Sequence, residues 1–324
     1  MASRRIRDQI EASLAELPRA PVLAAFSGGL DSAVLLHALA RSDVARARGL
    51  RAVHVDHGLH EDSMHWAQRC REFADGLGVE LVVRTVDVVR RGGLGLEASA
   101  RRARYAAIET LLSAGEVVAL AHHRDDQAET VLLKLLRGAG PEGIGAMRPV
   151  RRLGRGFAWR PLLLLPRAVL REYAEQNRLA WINDPSNADQ TIDRNYLRMQ
   201  VMPRISARWP EAESSIAQSA AWARAASEFI ESEADRALVR IQGLDPSTLN
   251  FREWLSLPAA LRDPVLRRWL RECGLDEPAH FHVAELERQL LAANDRAPCV
   301  TFDDTELRRR RDRLHAARRG TQTD

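Results

Sequence analysis

The most constraining feature of this sequence is a glycine-rich turn between an apolar run and an apolar helix pattern. Residues 22–26 read Val-Leu-Ala-Ala-Phe, residues 27–32 read Ser-Gly-Gly-Leu-Asp-Ser, and residues 33–39 read Ala-Val-Leu-Leu-His-Ala-Leu. A strand that turns on two glycines into a helix leaves free backbone N–H groups at the positive helix end, where an anion can bind. The turn therefore predicts a phosphate-binding loop.

The side chains of this loop indicate a nucleotide that binds with a metal. Ser27 and Ser32 supply hydroxyl donors on either side of Gly28, Gly29 and Leu30. Asp31 is a carboxylate beside phosphates, an arrangement that needs a cation, and Mg²⁺ is commonly held by one carboxylate together with substrate phosphates. A Gly-x-x-x-x-Gly-Lys-Ser/Thr loop does not occur. An ordinary capped turn is the alternative from composition alone, but the hexapeptide resembles the loop of ATP pyrophosphatases, which cleave ATP between its α and β phosphates.

The order of apolar patterns predicts an α/β fold with a doubly wound, mainly parallel sheet. The strand patterns cover residues 22–26, 50–55, 79–86 and 117–121. Helix patterns lie between them, near residues 31–41, 62–77 and 96–114. Beyond residue 210 the pattern is helical, which predicts a smaller all-helical domain. We place the boundary between residues 212 and 213.

Polar residues follow the predicted strands, and in open parallel sheets ligands bind at the carboxyl ends of the strands. His54, Val55 and Asp56 end the second strand, and the segment 121–130 follows the fourth. In that segment Asp126 and Glu129 are three residues apart, which makes them neighbours on a helix surface. Two adjacent carboxylates suit a cationic substrate or a metal. The alternative is an acidic first turn that complements the helix dipole.

Composition restricts the class of protein and its partners. The chain of 324 residues has a net charge of +4 and a pI near 9.4. Residues 143–171 carry seven arginines and no acid, and residues 307–319 carry seven arginines against one aspartate. Such segments favour a polyanionic partner, although a solvated face or a tail is the alternative for the second. Three widely separated cysteines, no long apolar stretch and no signal peptide pattern predict a cytoplasmic protein with reduced thiols.

Seven motifs together resemble the bacterial tRNA(Ile)-lysidine synthases, which belong to the PP-loop ATP pyrophosphatase, or adenine nucleotide alpha hydrolase-like, superfamily. The similarity covers roughly residues 20–210, and the following region resembles the second domain of that family. In chain order the motifs are SGGLDS (27–32), HVDHGL (54–59), GLEASARRARY (95–105), AHHRDDQAET (121–130), LLRGAGPEGIGAM (135–147), RPLL (160–163) and DPSNADQTIDRNYLR (184–198).

The resemblance implies a ligase. It would adenylate the wobble cytidine of an isoleucine tRNA with a CAU anticodon, attach free L-lysine to give lysidine, and release AMP and pyrophosphate, so that the tRNA reads AUA. It implies a catalytic domain at 1–212 and a helical tRNA- or substrate-binding domain at 213–324, without the further C-terminal domain of longer members. ATP and Mg²⁺ are the implied cofactors, and a homodimer is left open.

The resemblance also implies roles for individual residues. Asp31, Asp126 and Glu129 would be catalytic, with Asp31 holding Mg²⁺, and lysine would bind at Asp126, Glu129 and His123. ATP would bind at Ser27, Gly28, Gly29, Leu30, Asp31, Ser32, His54, Val55 and Asp56. Phosphate or tRNA contacts would come from Arg102, Arg104, Arg137, Arg160, Arg194, Asn195 and Arg198.

Two alternatives remain at this point. A tRNA thiolation enzyme of the same superfamily would use the same adenylation but would need nucleophilic cysteines or an iron–sulfur cluster, and Cys70 stands alone. A non-catalytic tRNA-binding module would not need the intact loop or the acidic pair.

Overall fold

The computed structural model describes residues 2–16, 18–88, 95–292 and 298–320. Its contacts divide the chain into unit 1, Met1–Ala223, and unit 2, Arg224–Asp324. This division lies inside a helix that begins at residue 212. It falls 11 residues (223 − 212) after the boundary predicted at 212–213. Among the described residues, no helix combines the length and the apolar character that a membrane span requires.

Unit 1 is built from alternating strands and helices. Its strands are β1 (Val22–Ala25), β2 (Arg51–Asp56), β3 (Glu80–Thr85), β4 (Val117–Ala119), β5 (Val150–Leu153) and β6 (Gly156–Trp159). Its helices are α1 (Ala2–Ser13), α2 (Leu30–Ala40), α3 (Asp43–Ala47), α4 (Ser63–Gly76), α5 (Leu96–Leu111), α6 (Arg124–Leu136), α7 (Pro141–Ile144), α8 (Arg167–Gln176), α9 (Asp193–Tyr196) and α10 (Met202–Arg208). A 3₁₀ turn at Pro185–Ala188 precedes α9, and a π-helical turn at Leu197–Val201 follows it. Helix α11 (Ala212–Ile241) runs across the division between the units.

The sheet of unit 1 has the strand order β3-β2-β1-β4-β6-β5. All neighbouring strands pair in parallel except β5 and β6, which are antiparallel. Apolar residues lie on both sheet faces, because Val22 and Ala24 pack with α2 in one cluster while Leu23 packs with α5 in another. Strands buried on both faces are typical of parallel sheets covered by helices. The prediction of a doubly wound, mainly parallel sheet is confirmed.

The strand order reverses direction at β1, and this positions the site. From β1 the chain moves outward through β2 to β3, and then it returns to β4 on the other side of β1. Ligands of open α/β sheets bind in the crevice at such a switch point, outside the carboxyl ends of the strands. The segments that follow β1 and β4 therefore meet there.

The edge hairpin β5–β6 was not predicted. Residues 150–152 are exposed on the edge strand and two of them are arginines, so the alternation of apolar and polar residues that marks a half-buried strand is missing there. Only Leu153 of β5 is buried. The hairpin therefore depends on pairing with β4 through β6.

The prediction that the second domain is all-helical is wrong. Unit 2 contains α12 (Phe251–Ser256), α13 (Ala259–Glu272) and α14 (His280–Ala292), and also an antiparallel sheet of order β7-β10-β9-β8. The strands are β7 (Thr248–Asn250), β8 (Cys299–Phe302), β9 (Thr305–Arg310) and β10 (Arg313–Arg318). Leu307, Leu314 and Ala316 are buried against the helices, and charged or polar residues flank Leu307 and Leu314 along their strands. An antiparallel sheet with one solvated face tolerates this pattern, and the run of arginines hid the alternation.

Candidate active site

The phosphate-binding loop lies between β1 and α2. Gly29 is the N-cap residue of α2, and it makes no side-chain cap hydrogen bond to the first turn of the helix. The Ser32 hydroxyl lies 2.9 Å from the carbonyl oxygen of Gly29, to which it donates, and 3.1 Å from the Ser27 hydroxyl. The loop thus presents backbone donors and two hydroxyl groups at a positive helix end, which is the geometry of an anion site.

Gly28 cannot be replaced without strain. Its φ is +83°, and a Cβ there would lie 2.7 Å from Ile182 Cδ1 and 2.8 Å from Cys70 Sγ. The backbone N–H of Ile182 donates to the Gly28 carbonyl over 2.9 Å. The loop is therefore fixed by contacts with a segment that is more than 150 residues further along the sequence.

His123 connects the loop to the start of α6. Its Nε2 lies 3.7 Å from Asp31 Oδ2 and 3.3 Å from Asp126 Oδ2, and its side chain is almost completely buried. Burial lowers the pKa of His123, but a hydrogen bond with Asp125 and the charges of Asp126 and Asp31 outweigh burial, so the net shift is upward. The residues after β1 and β4 therefore form one acidic cluster around a histidine.

Glu129 and Asp126 bind guanidinium groups. Arg194 Nε lies 2.9 Å from Glu129 Oε2, and Arg198 Nε lies 2.6 Å from Glu129 Oε1. Arg198 also donates through Nη2 to Asp126 Oδ1 over 2.9 Å. Burial raises the pKa of Asp126, but neighbouring cationic groups, His123 first, outweigh it and lower the pKa overall. Arg194 and Arg198, which the sequence analysis assigned to tRNA, lie against the acidic pair assigned to lysine.

We expect Glu129→Gln to destabilise unit 1. The Glu129 side chain is 2% exposed and its arginine partners are 18% and 29% exposed. Removing one member of a buried ion pair leaves uncompensated charge, so the free energy of unfolding should fall by about 2–3 kcal/mol, which is about 5–10 °C in Tm.

The matched control is Asp193→Asn, which removes the exposed pair between Asp193 and Arg137, 73% and 66% exposed. It should change the free energy of unfolding by less than about 1 kcal/mol. Thermal unfolding of both variants measures the difference. Equal Tm values would contradict the structural importance of Glu129.

The end of β2 carries the three other residues that were predicted to bind ATP. His54 is buried and its Nδ1 lies 3.0 Å from the Phe26 carbonyl oxygen, while Val55 and Asp56 are half-buried. Asp56 Oδ1 accepts a hydrogen bond from the Gly58 backbone over 2.8 Å. These three residues stand beside the loop, because β2 is the parallel neighbour of β1. Their role in binding a nucleoside stays a prediction.

The remaining arginines predicted to contact phosphate or tRNA differ in exposure. Arg102 and Arg104 are exposed on α5, and Arg104 Nε lies 3.4 Å from His57 Nε2. Arg137 is exposed and pairs with Asp193. Arg160, in contrast, is 3% exposed, and its Nη1 donates to the Arg148 carbonyl over 2.8 Å. Its guanidinium group therefore lies behind the surface, and its role as a phosphate or tRNA contact stays a prediction.

Asn195 also lies in the interior. It is 8% exposed, and its Nδ2 donates to the carbonyl oxygens of Ser186 and Asp189, both over 2.9 Å. These bonds fold the Asp-Pro-Ser-Asn segment onto α9. Asn195 therefore positions the backbone next to Arg194 and Arg198 in this structure instead of offering its amide to solvent.

Sequence reasoning missed one residue of the acidic cluster. Arg167, the first residue of α8, has its Nε 3.4 Å from Asp31 Oδ1, and its backbone N–H donates to Asp125 Oδ2 over 3.0 Å. The signal was weak, because Arg167 is only one of seven arginines in a basic segment. Its proximity to Asp31 depends on a contact across 136 residues.

Comparisons with known proteins match both units. A PP-loop domain profile matches residues 2–205, and a profile of the TilS substrate binding domain matches residues 249–315. A tRNA(Ile)-lysidine synthase from Xanthomonas campestris pv. campestris (strain 8004) is 46% identical over 92% of this chain and 68% of its own length. The chain belongs to the tRNA(Ile)-lysidine synthase family. Another lysidine synthase, from Alkalilimnicola ehrlichii, is 44% identical over 92% of this chain and 67% of its own length.

Family membership confirms the resemblance inferred from the motifs. The chain spans about two thirds of the length of these lysidine synthases. A solved structure, the U34-tRNA thiolase NcsA from Methanococcus maripaludis with its [4Fe-4S] cluster, is 15% identical, covers 67% of this chain and 76% of its own, and superposes with a TM-score of 0.55. This likeness supports the fold alone.

Cys70 does not have the properties of a sulfur-transfer residue. It is 1% exposed and packs in the apolar core beneath Gly28. Burial raises the pKa of its thiol to about 12, so the nucleophilic thiolate is scarce near neutral pH. The relatives described above are named lysidine synthases. The thiolation alternative is therefore the less supported one for this chain.

Proposed function

We propose that this chain joins free L-lysine to the wobble cytidine of an isoleucine tRNA with a CAU anticodon, using ATP and releasing AMP and pyrophosphate. The single observation that carries the proposal is an acidic cluster next to an uncapped phosphate loop. Asp126 and Glu129 already bind the guanidinium group of Arg198. The His123 side chain lies between Asp126 and Asp31 and is close to both. A phosphate site beside a cation site suits adenylation followed by attack of an amine.

ATP would bind with its phosphates at the loop 27–32 and its nucleoside toward His54, Val55 and Asp56. Asp31 fits the role of a Mg²⁺ ligand, because its side chain is 27% exposed in the first turn of α2. The described residues contain no group of three or more metal-ligating side chains, but Mg²⁺ needs only one or two carboxylates when substrate phosphates complete its shell. Bound Mg²⁺ would offset the charge of the phosphates.

Lysine would bind through its ammonium group at Asp126 and Glu129, with His123 beside them. These carboxylates are now occupied by Arg194 and Arg198, so the substrate ammonium has to take the place of at least one guanidinium group. The ε-amine has a pKa near 10.4 and must lose a proton before it attacks carbon 2 of the base. A carboxylate that holds the ammonium can both orient it and accept that proton.

The tRNA would contact exposed arginines of unit 1, including Arg102, Arg104 and Arg137, together with unit 2. A net charge of +4 and a basic pI favour this partner. A cytoplasmic location follows from the substrates, because tRNA, ATP and free lysine meet there.

The decisive experiment supplies ATP, radiolabelled lysine and an isoleucine tRNA transcript with a CAU anticodon. We expect label in the tRNA together with a stoichiometric amount of AMP. A methionine tRNA transcript, which has the same anticodon, is the matched control and should take up less label. AMP formation that needs a sulfur donor instead of lysine would support the thiolation alternative. Tight tRNA binding without any AMP would indicate a non-catalytic module.

A further inference from the structure

Three arginines surround one tyrosine beside the carboxyl edge of the unit 1 sheet. The guanidinium carbons of Arg101 and Arg151 lie 5.4 Å and 5.2 Å from the centre of the Tyr105 ring. Arg160 lies near Tyr105 and interacts with it electrostatically. We call Arg101, Tyr105, Arg151 and Arg160 the arginine–tyrosine cluster.

The positive charge of this cluster is not balanced. In the parts of the chain that the structure describes, none of its three guanidinium groups forms an ion pair with a carboxylate. Burial raises the pKa of the Tyr105 hydroxyl, but the charges of Arg101, Arg160 and Arg151 outweigh it and shift the pKa downward. Like charges this close repel one another unless an anion joins them.

Two polar atoms beside the cluster have no partner within the described residues. Arg160 is 3% exposed and its buried Nε makes no hydrogen bond. The Nδ1 atom of His122 is also buried without a partner. Burial, together with Arg160, Arg101 and Arg194, lowers the pKa of His122 to about 3 despite the nearby Asp126, so the imidazole is neutral. Buried polar groups normally have a partner, so these two atoms remain available for hydrogen bonds to a ligand.

The cluster lies across the sheet from the phosphate loop. Helix α5, which carries Arg101 and Tyr105, packs on the face formed by Leu23 and Val118, whereas α2 packs on the opposite face. His123, whose Nε2 lies 3.7 Å from Asp31 Oδ2, is on the side of the phosphate loop. Phosphates held by the loop therefore lie on the other side of the edge.

We propose that the arginine–tyrosine cluster binds a backbone phosphate of the RNA substrate, close to the nucleotide that reacts. This inference rests on the proposed function for the identity of the RNA. Phosphate is the shared chemistry of RNA and ATP, and arginine recognises it through paired N–H donors. The position across the sheet from the ATP loop favours the RNA, because the base and the ATP must reach the same edge from different sides.

The test measures binding of a CAU anticodon stem-loop RNA to the full chain as a function of salt. The variant Arg101→Gln/Arg151→Gln removes two exposed charges from the cluster. Its matched control, Arg4→Gln/Arg5→Gln, removes two exposed charges from α1. We expect the cluster variant to bind about tenfold more weakly than the control. The slope of log affinity against log salt should also fall by about 0.7, the value for one lost phosphate contact.

A second measurement identifies the source of the phosphate. ATP binding to the two double variants, measured without RNA, should be the same. A loss of ATP affinity with unchanged RNA affinity would overturn the proposal in favour of an ATP phosphate. Equal RNA affinity and slope for both variants would also overturn it. Melting curves must show that both variants are folded, which is expected because the four substituted arginines are exposed.

These outcomes are separable from a failure of the proposed function. The binding assay uses no lysine and no turnover, so a weakened, salt-shifted variant supports the cluster even when the unmodified chain transfers no lysine. Conversely, an unmodified chain that makes lysidine, with RNA binding that ignores the cluster, upholds the function and rejects this inference.

Discussion

Replacing Asp31 with alanine is expected to abolish AMP release while the protein remains folded. Asp31 lies in the first turn of α2 beside the uncapped loop, and its carboxylate is the proposed Mg²⁺ ligand. Without it the phosphates lose the cation that offsets their charge, which is worth several kcal/mol, or on the order of 10²–10³-fold in rate. ATP-dependent AMP formation with saturating tRNA and lysine measures this loss.

Stability should change little in Asp31→Ala, because the Asp31 carboxylate interacts only weakly with its neighbours. It lies 3.7 Å from His123 and 3.4 Å from Arg167, and Asp31 is partly exposed. The control Asp43→Ala removes another exposed carboxylate from the first turn of a helix, α3, and should keep full activity. Near-normal AMP formation by Asp31→Ala would show that Asp31 only places a negative charge at the N-terminus of α2.

Replacing Asp126 with asparagine is expected to spare adenylation and to block lysine transfer. Asp126 is in the proposed ammonium site, and the proposed site for the ATP phosphates is the loop 27–32. Loss of one charged hydrogen bond should raise the lysine KM about 10- to 100-fold. Adenylated tRNA should then accumulate, because lysine is needed only in the second step.

Asp126→Asn is a cleaner probe than Glu129→Gln. Glu129 binds two arginines in the interior, so its replacement affects stability whether or not it binds lysine. Asp126 keeps part of its exposure, and its shape is preserved by asparagine. The control is Glu172→Gln, a carboxylate-to-amide change at an exposed position of α8. An unchanged lysine KM with no trapped adenylate in Asp126→Asn would end the lysine-pocket assignment.

Interactions between neighbours in sequence explain why so much of unit 1 was predictable. The loop 27–32 depends on its own glycines and serines, and the strands β1 to β4 are marked by apolar runs that must be buried on both faces. Since parallel strands share one carboxyl edge, the polar residues after β1, β2 and β4 had to lie near one another. The position of the site therefore followed from local patterns and one topological rule.

The same local reasoning failed where many arginines obscured the alternation of buried and exposed residues along a strand. Arginines on the solvent side of β9 and β10 made residues 307–319 resemble a solvated tail, although Leu307 and Leu314 are completely buried. Likewise Leu135 and Leu136, which continue the apolar pattern of α6, are 49% and 76% exposed. A hydrophobic period predicts which face can be buried, but a partner element must be present to bury it.

The sequence by itself determined the phosphate loop, the parallel sheet and the edge at which they act, because these arise from short-range turn chemistry and strand patterning. Only the tertiary structure decided the partners of the charged groups. Arg194 and Arg198 bind Glu129 and Asp126, which lie 65 to 72 residues earlier in the sequence. Arg160 is buried near Tyr105. A charge has no period that reveals its partner, so long-range folding alone decides whether an arginine faces RNA, a carboxylate or another arginine.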